Sequence, residues 1–430
     1  MRVKRVFDVV GKYTMVLLVS VVMGLVLLIG AYALPTERIV DKVSSEIEQL
    51  VQETDYFSSY GPAVYGSTQD NYTEAIYLGQ AMIGGINSDL MKNALSGYFA
   101  TGDGTNVGDM ALVLEGEYAF EPVERMRFWN GWQVFLKPML QVLSYSEIRY
   151  FNIIVQTFLL FGALMLLHKK NMSELQFPFL FACLFMNPVT MGMSMTFSGY
   201  YYEILIASII VIAYNDKLVI NNRYGIFFAV LGILVFYFNM NYFQLCTIGF
   251  PLVLYFYMNK KETIVELLFD VIKYGASWLF GFFGMMLGKW TLYAVFVDSS
   301  IFVQQLRKII ERTGTDMGGY NASRLSAIMR NLVCGFNNKV LAVIEISYVI
   351  GCIILLIRSK SKKRNIVVAD FVFVIVTIVV VLMRYFIEAN HSFVHYWVVY
   401  RNLAICVFAI NTLLARMIKN NREVIEVKNE

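Results

Sequence analysis

The sequence predicts an all-α polytopic membrane protein of about ten transmembrane helices, with a large extracytoplasmic first loop domain. Three observations predict it. Apolar residues fill 57% of the 430 positions and charged residues only 16%, against about 45–50% and about 25% in soluble domains. Ten apolar runs recur along the chain, most near the roughly 17–25 residues a helix needs to cross a hydrocarbon core. The charges are also sorted. Residues 35–150 hold 16 of the 32 Asp and Glu but 7 of the 36 Lys and Arg, a net of −9, which leaves +13 over the remainder. Retention of Lys and Arg in short cytoplasmic loops produces such sorting. These figures exclude a disordered chain, a nucleic-acid-binding domain and an ordinary soluble enzyme.

The first span is Thr14–Leu34, and Arg2, Lys4, Arg5 and Lys12 before it place the N-terminus in the cytoplasm. Ala31-Tyr32-Ala33 resembles a signal-peptidase site, but the apolar run is longer than a signal h-region, so an uncleaved anchor is expected. Further spans are expected over Phe151–Leu167, Phe177–Phe197, Tyr200–Tyr214, Ile226–Met240, Tyr242–Met258, Tyr274–Val297, Val340–Ile357, Ile366–Phe386 and Val398–Met417. Basic connections at His168–Lys170, Lys217 with Arg223, Lys260-Lys261, Arg358–Arg364 and Arg416–Arg422 fall on one side. Both termini are then cytoplasmic. The organisation is therefore 1–34, N-terminus and first span; 35–150, loop domain; 151–297, helical bundle; 298–338, second outward loop; 339–417, C-terminal spans; 418–430, tail. The pair 226–240 and 242–258 is short and either spans fully or forms a re-entrant hairpin, and Asn187-Pro188 predicts a broken third span.

Ile39, Val43, Ile47, Leu50 and Val51 recur at helical spacing after the first span, and Phe302, Leu306, Ile309 and Ile310 repeat the pattern in the second loop. Each amphipathic helix either lies in the membrane interface or packs on the outward domain. Residues 56–69 read as an ordered loop rich in Gly, Ser and Tyr, and 101–109 as a turn rich in Gly and Asp without the carboxylates of a Ca²⁺ loop. The five Cys show neither metal-ligand nor disulfide spacing.

Ionisable residues inside spans are costly and are functional candidates by default. Lys289, Arg384 and Arg401 lie toward the outer ends of their spans, with His391, His395 and Tyr396 in or beside the short turn between the last two. Cations at that depth either snorkel toward the interface or bind an anion such as a lipid phosphate. Asp70 and Glu74, four residues apart at an expected helix start, serve either as caps or as catalytic acids facing those cations. Arg125, Arg127 and Trp129, approaching the second span, either anchor at the interface or bind a sugar and its phosphate. His391 and His395 have the i, i+4 spacing of a metal pair, but no third ligand is evident, so no metal site is assigned.

Three stretches, Asp70-Asn71-Tyr72-Thr73-Glu74, Arg127-Phe128-Trp129-Asn130-Gly131 and Asn390-His391-Ser392 through Arg401, carry a resemblance. At these residues the chain resembles bacterial polytopic proteins associated with surface polysaccharides and grouped among GT-C glycosyltransferases. The resemblance implies a GT-C-like fold in the bacterial plasma membrane, a polyprenyl-phosphate-linked sugar donor, a glycan acceptor and an acidic base in the first outward loop. It favours Asp70 and Glu74 as that base, and it implies no fixed cofactor and leaves divalent-metal use open. The chain departs from the family pattern at Asn130, where a His is expected, and at Gln244, where an Asp is expected. Two other functions stay open: a non-catalytic partner in polysaccharide assembly, and a transporter or flippase of lipid-linked glycans.

Overall fold

The computed structural model describes residues 2–58, 65–83, 89–100, 106–116, 122–317, 320–321, 323–358 and 368–429. Parts of the expected loop at 56–69, the turn at 101–109 and the basic connection at 358–364 lie outside them.

The chain is almost entirely helical. Helix α1 (Arg2–Tyr32) leads into α2 (Glu37–Ser44) and α3 (Ile47–Glu53). The loop domain continues with α4 (Asn71–Met82), α5 (Leu90–Ser96), α6 (Asn106–Glu115) and α7 (Gln133–Leu140). A short antiparallel pair, β1 (Tyr98–Ala100) with β2 (Pro122–Glu124), ties it together. The bundle follows: α8 (Tyr145–Lys169), α9 (Gln176–Phe185), α10 (Pro188–Met193), α11 (Met195–Val219), α12 (Arg223–Phe238), α13 (Leu245–Met258) and α14 (Ile264–Phe296). The second loop holds α15 (Ile301–Thr313), the small pair β3 (Asp316–Met317) and β4 (Tyr320–Asn321), and α16 (Arg324–Gly335). Helices α17 (Lys339–Arg358), α18 (Val368–Ile387), α19 (Ala389–Val394), α20 (Tyr396–Val399) and α21 (Leu403–Asn429) complete the chain.

Among the described residues, seven helical segments are long and apolar enough to cross a membrane. One of them, Met195–Phe238, contains both α11 and α12, joined by a turn at Ile220–Asn222 in which Asn221 and Asn222 take positive φ. Helix α9 with the turn before it, and α13, are shorter apolar helices. Local chemistry explains several boundaries. Ser144 and Glu147 form a reciprocal capping box that starts α8, six residues before the apolar run begins. Thr263 caps α14 by accepting from Glu266 N–H. Helices α12 and α14 approach closely through glycine: a Cβ on Gly232 would stand 2.0 Å from the Trp278 carbonyl oxygen. Small residues permit that backbone approach.

The apolar run 177–197 is not one helix. Asn187 adopts φ +64, Pro188 opens α10, and Met195–Phe197 already belong to α11. Proline suits a first helical turn and cannot continue a preceding one, which is the physical cause of the break. The amphipathic stretch 39–51 is likewise two helices, with Ser45 and Glu46 at the joint. Its apolar residues Ile39, Val43, Ile47 and Leu50 are buried in the main core with Tyr77, Leu78, Leu136 and Tyr145. Of the two readings left open for that stretch, packing against the protein is the one the buried residues support. One core cluster takes in residues of α2, α3, α4, α6 and α7 and of the later helices alike.

Candidate functional site

The site forms where the start of α4, the α12–α13 connection and the α18–α20 turn meet. Asp70 is the N-cap of α4: its Oδ1 accepts from the Thr73 N–H at 3.1 Å. The neighbouring Asn71 donates to Glu53 at 3.0 Å and accepts from Arg149 at 3.0 Å. The second carboxylate oxygen of Asp70 accepts a 2.9 Å hydrogen bond from the Tyr242 phenol. Asp70 is 2% exposed, and burial disfavours a carboxylate's charged form. Its pKa is pushed up to about 6, with burial the leading cause; the bonds from Thr73 and Tyr242 oppose the shift, and nearby Glu74 adds to it. A carboxylate so placed sits close to the pH at which a general base works best.

Tyr242 joins Asp70 to the histidines. Its ring stacks on His391 and meets His395 edge-on, with centroids 5.9 Å away in both cases. His391 Nε2 lies 2.6 Å from the Asn241 carbonyl oxygen, so that nitrogen carries the proton. Burial, helped by His395, Arg384 and Arg312, holds His391 well below the ordinary histidine range. The ring is therefore neutral at pH 7, and Nδ1 is an acceptor. Burial and Arg312 lower His395 to about 4. Its Nε2 accepts from the Arg312 guanidinium at 3.3 Å, since arginine can only donate.

Four arginines surround this core. Arg384 is 7% exposed. Its Nη2 reaches the Asn241 carbonyl, Gln244 Oε1 and Glu388, each at 3.3 Å, while Nε and Nη1 are buried with no partner among the described residues. Arg127 donates to Gln305 at 2.8 Å. Burial, then the charges of Arg312 and Arg125, lower Arg127 to about 10. Arg125 donates to Met240 Sδ at 3.2 Å, and its charge also acts on Tyr242 and Tyr77. Like charges near one another repel, and an anion placed among them would relieve that repulsion.

The structure brings together Asp70, Arg125, Arg127, Arg384, His391 and His395, and places the other sequence candidates elsewhere. Glu74 is fully buried and accepts from Ser194 Oγ at 2.8 Å, Met195 N at 3.0 Å, Thr196 N at 2.8 Å, Thr196 Oγ1 at 2.5 Å and the Tyr145 phenol. It neutralises the positive end of α11 and locks α4 to α8 and α11. Arg401 spends its donors on four carbonyls: Met186 at 2.9 Å, Gly66 at 2.8 Å, Trp397 at 3.1 Å and Val398 at 3.4 Å. The Met186 carbonyl is one that the break at Asn187 leaves without a helical partner. Lys289 donates to the Leu95 carbonyl in the last turn of α5 and lies 5.6 Å from the Trp129 ring, and Trp129 donates to the Met285 carbonyl at 2.9 Å. Tyr396 stacks under the Arg330 guanidinium at 3.9 Å.

Tyr242, Arg312 and Glu388 were not among the sequence candidates for this site. Tyr242 lies in the Asn241–Gln244 connection, a stretch whose shortness was legible but whose contact with Asp70, 172 positions away, was not. Among the described residues no group of three or more His, Cys, Asp or Glu could hold a metal ion.

Fold and site together define a class: a helical protein whose long apolar helices fit a membrane, with a buried carboxylate linked through a tyrosine to a pair of histidines and the arginines around them. No family model, curated protein or solved structure matches the chain.

Proposed function

We propose that the chain is a membrane glycosyltransferase that takes sugar from a polyprenyl-phosphate-linked donor and transfers it to a cell-surface polysaccharide on the extracytoplasmic side. In this reading α1, α8, α9, α11, α12, α13, α14, α17, α18 and α21 are ten crossings of a bacterial plasma membrane, both termini are cytoplasmic, and the loop domain faces outward. The observation that carries the reading is the buried Asp70 carboxylate bonded to Tyr242, whose ring stacks on His391, in one cluster with Arg384, whose Nε and Nη1 have no partner among the described residues. Arg384, with Arg125, Arg127 and Arg312, holds the donor phosphate. Asp70 takes the proton of the acceptor hydroxyl as its oxygen bonds to the sugar's anomeric carbon. The bond from that carbon to the phosphate oxygen breaks, and polyprenyl phosphate leaves with the electron pair. The arginines stabilise the charge that develops on the leaving oxygen. Tyr242 orients the base, and neutral His391 offers an acceptor for a sugar hydroxyl.

A second reading, a non-catalytic partner in polysaccharide assembly, is favoured by Gln244. Its amide accepts from Arg384 where the resembled family carries an acid. Purified protein in bilayers, supplied with a polyprenyl-phosphate sugar and a glycan acceptor, separates the two. Transfer by wild type and its loss in Asp70→Asn support the enzyme. Absence of transfer, with loss of glycan chain length rather than of a sugar type in a deletion strain, supports the partner.

A further inference from the structure

Helix α15 has its amphipathic pattern turned inside out. At about 100° per residue its side chains fall into three sectors. Ile301, Gln305 and Arg312 face the protein, with Ile301 and Gln305 buried. Gln304, Arg307 and Glu311 form a polar sector. Phe302, Val303, Leu306, Ile309 and Ile310 form an apolar sector, and all five are exposed, by 42% to 63%. A helix resting on a protein core buries its apolar face. Here the buried face instead carries Gln305, bonded to Arg127 at 2.8 Å, and Arg312, at 3.3 Å from His395.

The neighbouring α16 repeats the arrangement. Leu325, Met329 and Val333, four residues apart, are exposed by 65%, 51% and 60%. On the opposite side Asn331 is buried and donates to the Ser392 carbonyl at 2.8 Å. The two apolar faces continue a run of exposed apolar residues at the ends of α14 and α18, both long and apolar enough to cross a membrane and packed against α15 and α16 respectively. Val295 and Phe296, in the last turn of the membrane-length α14, are 69% and 50% exposed just before α15 begins, and Phe386 and Ile387 end α18 in the same state.

We propose that α15 and α16 lie in the membrane interface on the loop-domain side, with their apolar faces in the acyl region of that leaflet. The occupant is lipid rather than a second protein, because the exposed faces are continuous with the lipid-facing ends of α14 and α18. Seating α15 in the leaflet fixes Gln305 and Arg312 as the membrane-side wall of the cationic site. The leaflet is thus part of what holds the site's shape. The inference does not depend on glycosyl transfer.

The test uses full-length protein in nanodiscs of phosphatidylcholine and phosphatidylglycerol. A nitroxide is attached at Ile310→Cys and, separately, at Arg307→Cys. The native cysteines Cys183, Cys246, Cys334, Cys352 and Cys406 are buried, and wild type carried through labelling supplies the blank. In lipid, the ratio of oxygen to nickel-chelate collisions at 310 exceeds that at 307 by about threefold or more. Equal ratios overturn the proposal, as does a label at 310 shielded from both reagents, which marks a covering protein. Leu306→Cys provides the same reading should Ile310→Cys not fold.

Discussion

The Tyr242 phenol and the Asp70 carboxylate, 172 positions apart in the chain, meet in a 2.9 Å hydrogen bond that couples the loop domain to the α12–α13 connection. Because this bond stabilises the ionised carboxylate, it opposes the upward push of burial on Asp70. In Tyr242→Phe only the bonds from Thr73 still oppose burial, and the pKa of Asp70 rises above about 6. A base must be ionised to act, so activity in wild type falls as pH drops through about 6. In Tyr242→Phe that limb moves to higher pH, with the plateau less affected. A pH–rate profile in which the limb stays put would remove this bond from the mechanism.

Asp70→Asn separates catalysis from folding. Asparagine caps a helix about as well as aspartate, so α4 stays intact. The native pKa lies above the ordinary value of 3.8. The folded state therefore favours the protonated form, and this contribution to stability is lost as pH rises from about 4 to above 6. At pH 8 a neutral side chain avoids that cost, and the variant melts at the wild-type temperature or above it. Transfer falls by about 10²-fold or more. Thermal melts and turnover on one preparation check both halves.

Arg384→Gln removes the half-partnered guanidinium. The expected outcome is a donor KM raised about tenfold or more, the effect of losing a charge-assisted phosphate contact, with a weaker dependence of KM on salt. Unchanged KM at both low and high salt would exclude Arg384 from phosphate binding.

Glu74→Gln is expected to harm the fold. The amide places donor hydrogens among five donors that now converge on one carboxylate. Leaving such groups unpaired costs about 1–3 kcal/mol, more where a charge is involved. The variant should melt earlier, and because the Glu74 charge adds to the upward shift of Asp70, molecules that fold keep their turnover with an acid limb moved to slightly lower pH. Loss of turnover at wild-type stability would instead make Glu74 a catalytic group.

Arg401→Lys keeps the charge and loses the fork. A lysine cannot reach the carbonyls of Met186, Gly66 and Trp397 together. Stability is expected to drop by about 2–4 kcal/mol, with donor KM unchanged in protein that remains folded. Denaturant melts and KM distinguish this from a phosphate-binding role.

The legible part of this protein was whatever depends on nearby residues. Apolar runs mark helices that fit a membrane because chain length and transfer energy act on a single segment. Asn187-Pro188 announced a broken helix because proline constrains its own turn. The role of Asp70 as a cap was readable, since a cap bonds within three residues. The same local view could not rank the cations. Lys289, Arg384 and Arg401 look alike in sequence, each a cation toward the end of an apolar run. Among the described residues Arg384 is the one of the three with nitrogen atoms that have no partner, because the carbonyls that take up Arg401 and Lys289 come from distant turns at Gly66, Met186 and Leu95. Arg312 was hidden for a similar reason: it sits on the protein-facing edge of a helix whose apolar face points away.

By itself, then, the sequence determined an all-helical chain with membrane-length apolar helices and a charge asymmetry across residues 35–150. The tertiary structure decided which charges are spent on the backbone and which are left to act. The physical reason is that a buried ionisable group is defined by the donors and acceptors around it, and here those partners lie up to 335 residues away.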